Sequence, residues 1–239
     1  TILDAIERAS AHGADLLVVP ECALSDYLPS PDLDFELLAE AESEIARRAA
    51  ERGLYVALGV VRRQGGRWFN TAILVSPSGE TIGSYDKTHL FEGGREIFTP
   101  GDSLPVFRCG RWTVGLQICF DVRFPENWRI LRGKGAELAL HLSNASRGAR
   151  WKLPVLEGAV RSRAAENGIY VVSANDARAP QMMVSAICAP DGTHLAQAPQ
   201  DEETVIYAEL NLSEVNSDFL AARRTDIWRR PENRPFLLE

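Results

Sequence analysis

The sequence contains few cysteines and histidines, and neither type is grouped as metal sites or disulfide frameworks require. Its four cysteines are scattered without a C-x-x-C pair, which argues against both a disulfide framework and a zinc knuckle. The four histidines show no HxH or HxxxH spacing, which argues against a metal site. The pair Gly93-Gly94 is too short to form a phosphate-binding loop. The scattered positions are Cys22, Cys109, Cys119, Cys188, His12, His89, His141 and His194.

The chain also lacks an excess of positive charge and a long apolar run. It has 26 lysines and arginines against 33 acidic residues, which gives a formal net charge of -7. With no basic stripe and interleaved aromatic residues, this composition argues against a nucleic-acid partner. No apolar run approaches the roughly 20 residues that span a bilayer, and the first residues lack the charged-then-apolar pattern of a signal peptide. We therefore expect no membrane partner and a cytoplasmic location.

The sequence does contain the apolar segments of an ordinary α/β protein. With 239 residues, 45% of them hydrophobic, the chain can bury one large core. No linker or low-complexity tract divides it. We therefore expect residues 1–239 to form a single domain, with residues 211–239 as a polar C-terminal arm.

Hydrophobic spacing predicts the helices and strands of this domain. Strand, helix, strand and hairpin follow one another twice, with Pro-x-Gly turns in both hairpins, which suggests two pseudo-equivalent halves. Helices outside two stacked sheets would bury all the strands. The predicted helices cover residues 2–10, 35–52 and 151–167. The predicted strands cover residues 14–20, 55–61, 71–75, 81–85, 114–118, 136–142, 169–174, 184–189, 193–198 and 204–210.

One predicted strand ends at Cys119, and α/β proteins keep their functional sites at the carboxyl ends of strands. Pro125 suits the first position of a helix, and Glu126 favours the positive end of that helix. A thiol held between a strand end and a helix start can become a nucleophile. We expect Asp121, Arg123 and Glu126 to fix the intervening loop through ion pairs.

Two further polar residues, Glu21 and Lys87, also follow predicted strands. Each alone fits an ordinary surface charge, just as a single cysteine fits a small buried hydrophobic residue. Together they match the needs of covalent catalysis. A thiol needs a base to become a thiolate, and one buried ammonium can favour that thiolate and stabilise an oxyanion. We therefore predict that Glu21, Lys87 and Cys119 meet in one cleft.

Three segments resemble, in order, the signature motifs of the carbon-nitrogen hydrolase (nitrilase) superfamily. The resemblance implies a catalytic triad of Glu21, Lys87 and Cys119 and a four-layer αββα sandwich with two pseudo-equivalent halves. It also implies a homodimer or higher homo-oligomer and neither a metal nor an organic cofactor. The three segments are residues 20–21 (PE), 85–91 (YDKTHLF) and 117–126 (QICFDVRFPE), with supporting matches at residues 98–101, 135–138, 163–167 and 223–226.

The residues after Cys119 resemble those of the amidase and carbamoylase branch, whereas true nitrilases tend to have Trp-Glu there. The implied function is cleavage of the C–N bond of a small carboxamide or N-carbamoyl compound, with release of ammonia through a thioester. In the implied mechanism Glu21 carries protons, while Lys87 and the backbone N–H of Phe120 hold the oxyanion. Two alternatives stay open: a nitrilase acting on a nitrile, and a non-catalytic binding or assembly member of the family.

The substrate contacts are less closely defined by the resemblance. Amidase-like relatives often have a fourth glutamate, seven residues before the glycine of the Pro-Gly pair. This chain has Gly94 at that position, and Glu92 or Glu96 can take the place of the missing glutamate. Tyr27 matches a family position after the first strand, and Asn144 faces the same rim as the nucleophile. The candidate substrate contacts are therefore Tyr27, Glu92 and Asn144.

The resemblance also implies a strand that the sequence does not contain. Many relatives begin with a strand before the first helix, whereas this chain opens inside a helix. Because a sandwich without a central strand would be badly destabilised, we expect that first strand to lie outside residues 1–239.

Overall fold

The computed structural model describes residues 1–25, 33–228 and 230. Within these residues the chain forms seven α-helices, ten β-strands and short 3-10 turns. The helices are α1 (Ile2–Ala11), α2 (Phe35–Arg52), α3 (Glu92–Arg95), α4 (Pro125–Gly133), α5 (Leu153–Asn167), α6 (Asp218–Ala221) and α7 (Thr225–Trp228). The strands are β1 (Leu16–Val18), β2 (Tyr55–Gln64), β3 (Arg67–Val75), β4 (Thr81–Asp86), β5 (Val106–Cys109), β6 (Trp112–Ile118), β7 (Leu138–Ser143), β8 (Tyr170–Asn175), β9 (Ala186–Cys188) and β10 (His194–Gln197).

Local sequence explains where the long helices begin and end. The Asp34 side chain caps α2 by accepting hydrogen bonds from two backbone N–H groups, and Gly53 ends the helix in the left-handed conformation with φ +64°. Pro125 opens α4, where its missing N–H costs no hydrogen bond. The predicted bounds of α2 and the predicted start of α4 are confirmed. The predicted helix over 151–167 begins later, at Leu153, after a 3-10 turn.

The strands form two sheets, one of four strands in the order β1-β2-β3-β4 and one of six in the order β10-β9-β8-β7-β6-β5. In the first sheet β1 is parallel to β2, and β2 and β3 are antiparallel. In the second sheet β7 is likewise parallel to β8, and β8 and β9 are antiparallel. The same order and sense of pairing in both sheets match the two pseudo-equivalent halves that the sequence predicts.

Three hydrophobic clusters define the layers of the fold. Between the sheets, Leu74 and Tyr85 of the first sheet share a core with Leu116 and Leu140 of the second. On the outer side of the first sheet, α1 and α2 bury their apolar faces, and α5 does the same on the second sheet, beside Trp128 of α4. The predicted αββα sandwich is therefore confirmed. It places the carboxyl ends of β1 and β6, from opposite sheets, on facing layers.

One predicted strand is wrong: residues 204–210 form none. They line a groove of about 1750 Å³ together with β1, whose second edge has no strand partner among the described residues. A strand needs a neighbour to supply hydrogen bonds, and no strand formed by the described residues pairs with residues 204–210 across this groove. The same groove reaches Glu21 and Asn144. In the part of the chain that is described, no helix is both long and apolar enough to cross a membrane.

Candidate active site

Cys119 lies at a sharp turn directly after β6. It is the first residue of a 3-10 turn, Cys119–Arg123, and its φ of +44° is in the left-handed region. A non-glycine residue rarely adopts this conformation, which costs of order 1–3 kcal/mol. The residue is partly exposed, whereas the strand before it is buried. The turn therefore lifts the thiol out of the sheet at the strand end, as the sequence predicts.

Glu21 follows β1 at a second sharp turn, in which the next residue, Cys22, has a φ of +51°. Strand β2 presses directly against this turn: the N–H of Ala23 donates to the carbonyl of Gly59 at 3.1 Å. A Cβ atom at Gly59 would lie 2.5 to 2.8 Å from the backbone of residues 20–22. Only glycine at this position lets the Glu21 turn approach β2 so closely.

The Glu21 carboxylate is buried and accepts three hydrogen bonds. Its Oε1 accepts from Lys87 Nζ at 2.5 Å and from Asn70 Nδ2 at 2.7 Å. Its Oε2 accepts from the backbone N–H of Asn144 at 3.0 Å. A buried charge pair is tolerated when hydrogen bonds satisfy its remaining lone pairs, and this pair meets that condition on the carboxylate side.

Lys87 is held by its backbone on both sides. Its N–H donates to the carbonyl of Asn70 at 2.9 Å, and its carbonyl accepts from the N–H of Gly101 at 2.9 Å. The side chain of Lys87 is 0% exposed, as is that of Glu21. An ammonium of this kind, fixed in a buried position beside a carboxylate, supplies positive charge without prior rearrangement.

The thiol of Cys119 lies within the electrostatic field of both groups. Burial raises its pKa, and the nearby Glu21 carboxylate raises it further, to about 11. The Lys87 ammonium, the Ser143 hydroxyl and the Asn144 N–H oppose this rise. At neutral pH the resting cysteine is therefore a thiol, and it needs a base to become a nucleophile. The structure thus brings Glu21, Lys87 and Cys119 together.

The loops that carry Lys87 and Cys119 are joined through Asp121, which is fully buried. Its Oδ2 accepts from the Tyr85 hydroxyl at 2.7 Å and from the Ile118 N–H at 2.9 Å, while Oδ1 accepts from the His89 N–H at 3.0 Å. The sequence predicts ion pairs for Asp121. The structure shows mainly neutral donors, together with the His89 ring at 3.2 Å, which forms an ion pair only when it is protonated.

Of the three candidate substrate contacts, the structure places Asn144 at the site and Glu92 in solvent. Asn144 lies beside the triad, but it is its backbone N–H that binds Glu21, and its side-chain Oδ1 accepts from the Ser146 hydroxyl at 3.0 Å. Glu92 is the first residue of α3 and is exposed to solvent, in contrast to the buried triad carboxylate. Tyr27 lies outside the described residues.

Sequence reasoning missed two buried polar residues at the site, Asn70 and His141. Asn70 interrupts an apolar stretch of β3 and donates to Glu21. His141 lies in the fully buried strand β7 and contacts the carbonyl of Cys119 at 3.0 Å. A polar residue inside an otherwise apolar strand is the signal that could have found both. Within the described ranges, no group of three or more His, Cys, Asp or Glu side chains could hold a metal ion.

Comparison with known protein sequences gives a single family over most of the chain. A family model described as carbon-nitrogen hydrolase matches residues 1–218. A protein named nitrilase from Pyrococcus abyssi is 34% identical over 218 residues, which covers 87% of this chain and 80% of the relative. The omega-amidase of Xenopus tropicalis is 31% identical over 249 residues, which covers 96% of this chain and 86% of the relative.

Solved structures include an amidase of the nitrilase superfamily from Nesterenkonia AN1. It superposes with a TM-score of 0.82 and 28% sequence identity, covering 95% of this chain and 88% of its own. A second structure, of a mutant of the same amidase with one glutamate replaced by glutamine, has a TM-score of 0.80, 28% identity and the same coverage. It shows covalent addition of the acetamide moiety of fluoroacetamide at the active-site cysteine of that mutant.

Proposed function

Because the chain belongs to the carbon-nitrogen hydrolase family, we propose that it is a cysteine-dependent amidohydrolase that releases ammonia from a small carboxamide or N-carbamoyl compound. Its amidase relatives support a hydrolase acting on amides, that is, on carbon–nitrogen bonds other than peptide bonds. The proposal goes further than this class, because it names the nucleophile, the intermediate and the size of the substrate.

One observation carries the proposal: the buried Glu21–Lys87 pair lies beside the Cys119 thiol. An isolated ion pair in a protein core is a weak source of stability, so its presence beside a strained cysteine needs another explanation. Proton transfer and oxyanion stabilisation supply that explanation, since they require a carboxylate and an ammonium at the same thiol.

In the first half of the reaction, Glu21 takes the proton of the Cys119 thiol as the sulfur attacks the amide carbon. The carbonyl oxygen becomes an oxyanion, which Lys87 and the backbone N–H of Phe120 stabilise. The C–N bond then breaks, Glu21 returns its proton to the departing nitrogen, and ammonia leaves. The acyl group stays on sulfur as a thioester.

In the second half, Glu21 removes a proton from a water molecule that attacks the thioester carbon. The same oxyanion donors stabilise the second tetrahedral intermediate. The C–S bond breaks, the proton returns from Glu21 to sulfur, and the carboxylic acid leaves. Because Glu21 acts as base and then acid in each half, its position is as important as its charge.

A nitrilase acting on nitriles is the second candidate, and the Pyrococcus abyssi relative favours it by name. The amide is preferred because the Xenopus tropicalis relative is an omega-amidase and the solved structure from Nesterenkonia is an amidase. The two functions differ in which substrate is turned over faster, a nitrile or its amide. A non-catalytic family member would turn over neither.

The test is ammonia release over a panel of omega-amides, N-carbamoyl amino acids, aliphatic amides and nitriles. We expect an amide or carbamoyl substrate to be fastest, and Cys119→Ala to lower its turnover by at least about a thousand-fold. The variant Cys109→Ala is the matched control, because Cys109 is a buried cysteine at the edge strand β5, and it should keep its activity. Full activity in Cys119→Ala would end the proposal.

We also propose that the chain forms a homodimer or higher homo-oligomer through the helix layer on the second sheet. Helices α4 and α5 pack side by side, and they expose Ile130 at 45% and Val155 at 50%, next to Trp151 at 70%. Large apolar side chains exposed on one helix layer are typical of an interface. Light scattering should give at least twice the monomer mass, and Ile130→Glu with Val155→Glu should reduce it; a monomeric parent protein would contradict the proposal.

A further inference from the structure

His141 occupies the centre of β7, directly beneath the turn that begins at Cys119. It is 0% exposed, and its Nε2 lies 3.0 Å from the carbonyl oxygen of Cys119. Its Nδ1 lies 2.8 Å from the hydroxyl of Ser173, which is its register partner on β8. The Trp128 ring covers it at a centroid distance of 5.8 Å.

These contacts fix which ring nitrogen carries the proton. A carbonyl oxygen can only accept, so Nε2–H of His141 donates to Cys119. The other nitrogen, Nδ1, then accepts from the Ser173 hydroxyl. Burial lowers the pKa of His141, in keeping with a neutral ring. With both nitrogens engaged inside the protein, His141 has no free atom with which to act as a general acid or base.

The carbonyl that His141 holds belongs to the peptide unit between Cys119 and Phe120. A trans peptide unit is planar, and its C=O and N–H point in opposite directions. Holding the oxygen therefore fixes the direction of the Phe120 N–H. The N–H groups at the start of a helical turn have no partner within that turn, so this donor is available to a bound group.

We propose that His141, oriented by Ser173, is a positioning residue that fixes the Cys119–Phe120 peptide plane and so aims the Phe120 N–H at the oxyanion. This inference rests on the proposed function, since only an acyl-transfer reaction develops an oxyanion there. The φ of +44° at Cys119 makes such support necessary, because this strained conformation persists only when its surroundings hold it.

The test compares two reactions of the same thiol. Amide hydrolysis needs the oxyanion donor, whereas alkylation of Cys119 by iodoacetamide occurs at a saturated carbon and develops no oxyanion. In His141→Phe, which keeps a ring but loses both polar contacts, we expect kcat for the best amide to fall about 10- to 100-fold, less than the 10²- to 10³-fold loss of a deleted donor. We expect KM and the alkylation rate to stay within about threefold of the parent values.

The conservative variant His141→Gln provides the rescue, because its amide N–H can still donate to the Cys119 carbonyl, and it should recover most of kcat. Unchanged kcat in a folded His141→Phe would overturn the inference, and so would an alkylation rate that falls in parallel with kcat, since that would mean the nucleophile itself has moved. If His141→Phe does not fold, Ser173→Ala is measured in the same way. A fall in kcat of threefold or more with an unchanged alkylation rate supports the inference. An unchanged kcat overturns it.

Failure of the proposed function would give a different result. If the parent protein releases no ammonia from any amide or carbamoyl compound in the panel, the proposed function fails, and the inference fails with it. If the parent protein is active and the His141 variants match it, only the inference fails. Circular dichroism of each variant establishes that the fold is intact in both cases.

Discussion

Replacement of Lys87 by methionine should destabilise the protein by roughly 3 kcal/mol, and by up to about 5 kcal/mol, because it leaves the Glu21 carboxylate buried without its cation. Both side chains are fully buried, and Nζ lies 2.5 Å from Oε1. Methionine keeps an unbranched stem of similar length, so the loss comes from charge and not from a cavity. Asn70 and Asn144 still donate to the carboxylate, which favours the lower end of the range.

A double variant separates the loss of attraction from the cost of an unpaired charge. Combining Glu21→Gln with Lys87→Met removes both charges, so neither ion is left buried without its partner, which is the main cost of breaking such a pair. The double variant should therefore lose less free energy of unfolding than the sum of the two single variants, by about 2 kcal/mol. Glu21→Gln alone should also be destabilised, since it leaves the ammonium of Lys87 without a carboxylate.

Urea unfolding at pH 7, followed by circular dichroism, measures these differences. With a slope of about 3 kcal/mol/M, the loss in Lys87→Met lowers the midpoint by about 1 to 1.7 M. Lys152→Met is the matched control, because Lys152 is partly exposed and its replacement should change the unfolding free energy by less than about 0.5 kcal/mol. Equal midpoints for the two lysine variants, or strict additivity in the double variant, would refute the idea that Lys87 neutralises a buried carboxylate.

Four further predictions concern the turns and the thiol. Alkylation of Cys119 by iodoacetamide should accelerate with pH, with a midpoint near 11. The reason is that burial, and then the Glu21 carboxylate, raise the pKa of the thiol to about 11. A midpoint near the ordinary cysteine pKa of about 8.5 would contradict this account of the thiol's surroundings. Glu21→Gln should shift that midpoint to lower pH, since it removes the nearby negative charge. Gly59→Ala should lower the free energy of unfolding by about 1–3 kcal/mol, and it should lower kcat by displacing the Glu21 turn. The control is Gly158→Ala, on the exposed side of α5, where no atom lies within 4 Å of the new Cβ. This control should unfold no earlier than the parent protein. Asp121→Ala should lower the melting temperature and kcat together, because it releases both loops at the site; an unchanged kcat would show that the loops hold without it.

The convergence of Glu21, Lys87 and Cys119 could be predicted from the sequence because strand ends are visible in it. Apolar runs that stop at Glu21 and Cys119, and a hairpin strand that stops before Lys87, give three polar groups at the edges of buried sheets. Where a strand stops, the side chain that follows lies at the rim, so convergence follows from the layer architecture. The bounds of α2 were predictable for a similar local reason, because Asp34 and Gly53 define its ends without help from the rest of the fold.

The supporting residues could not be predicted, because their role depends on which face of a strand they occupy. Asn70 and His141 lie within strands, where a single polar residue fits either a solvated face or a buried hydrogen bond. Only the packing of the two sheets shows that Asn70 faces the Glu21 carboxylate and that His141 lies under Cys119. For residues 204–210 the error was the reverse, because a strand was predicted where the structure has none. A segment can favour the extended conformation, but its own residues do not show whether a neighbouring strand is there to pair with it.

The hydrogen bonds of Glu21 also indicate which of its atoms would receive the thiol proton in the proposed mechanism. A carboxylate has about four lone-pair sites, two on each oxygen. On Oε1 both are engaged, by Lys87 and Asn70, whereas on Oε2 the described residues engage one, through the N–H of Asn144. The remaining site lies on Oε2, the oxygen turned toward Asn144, whose N–H also faces the Cys119 thiol. Lys87 and Asn70 therefore hold one carboxylate oxygen in place, and in the proposed mechanism the other oxygen exchanges protons with the sulfur.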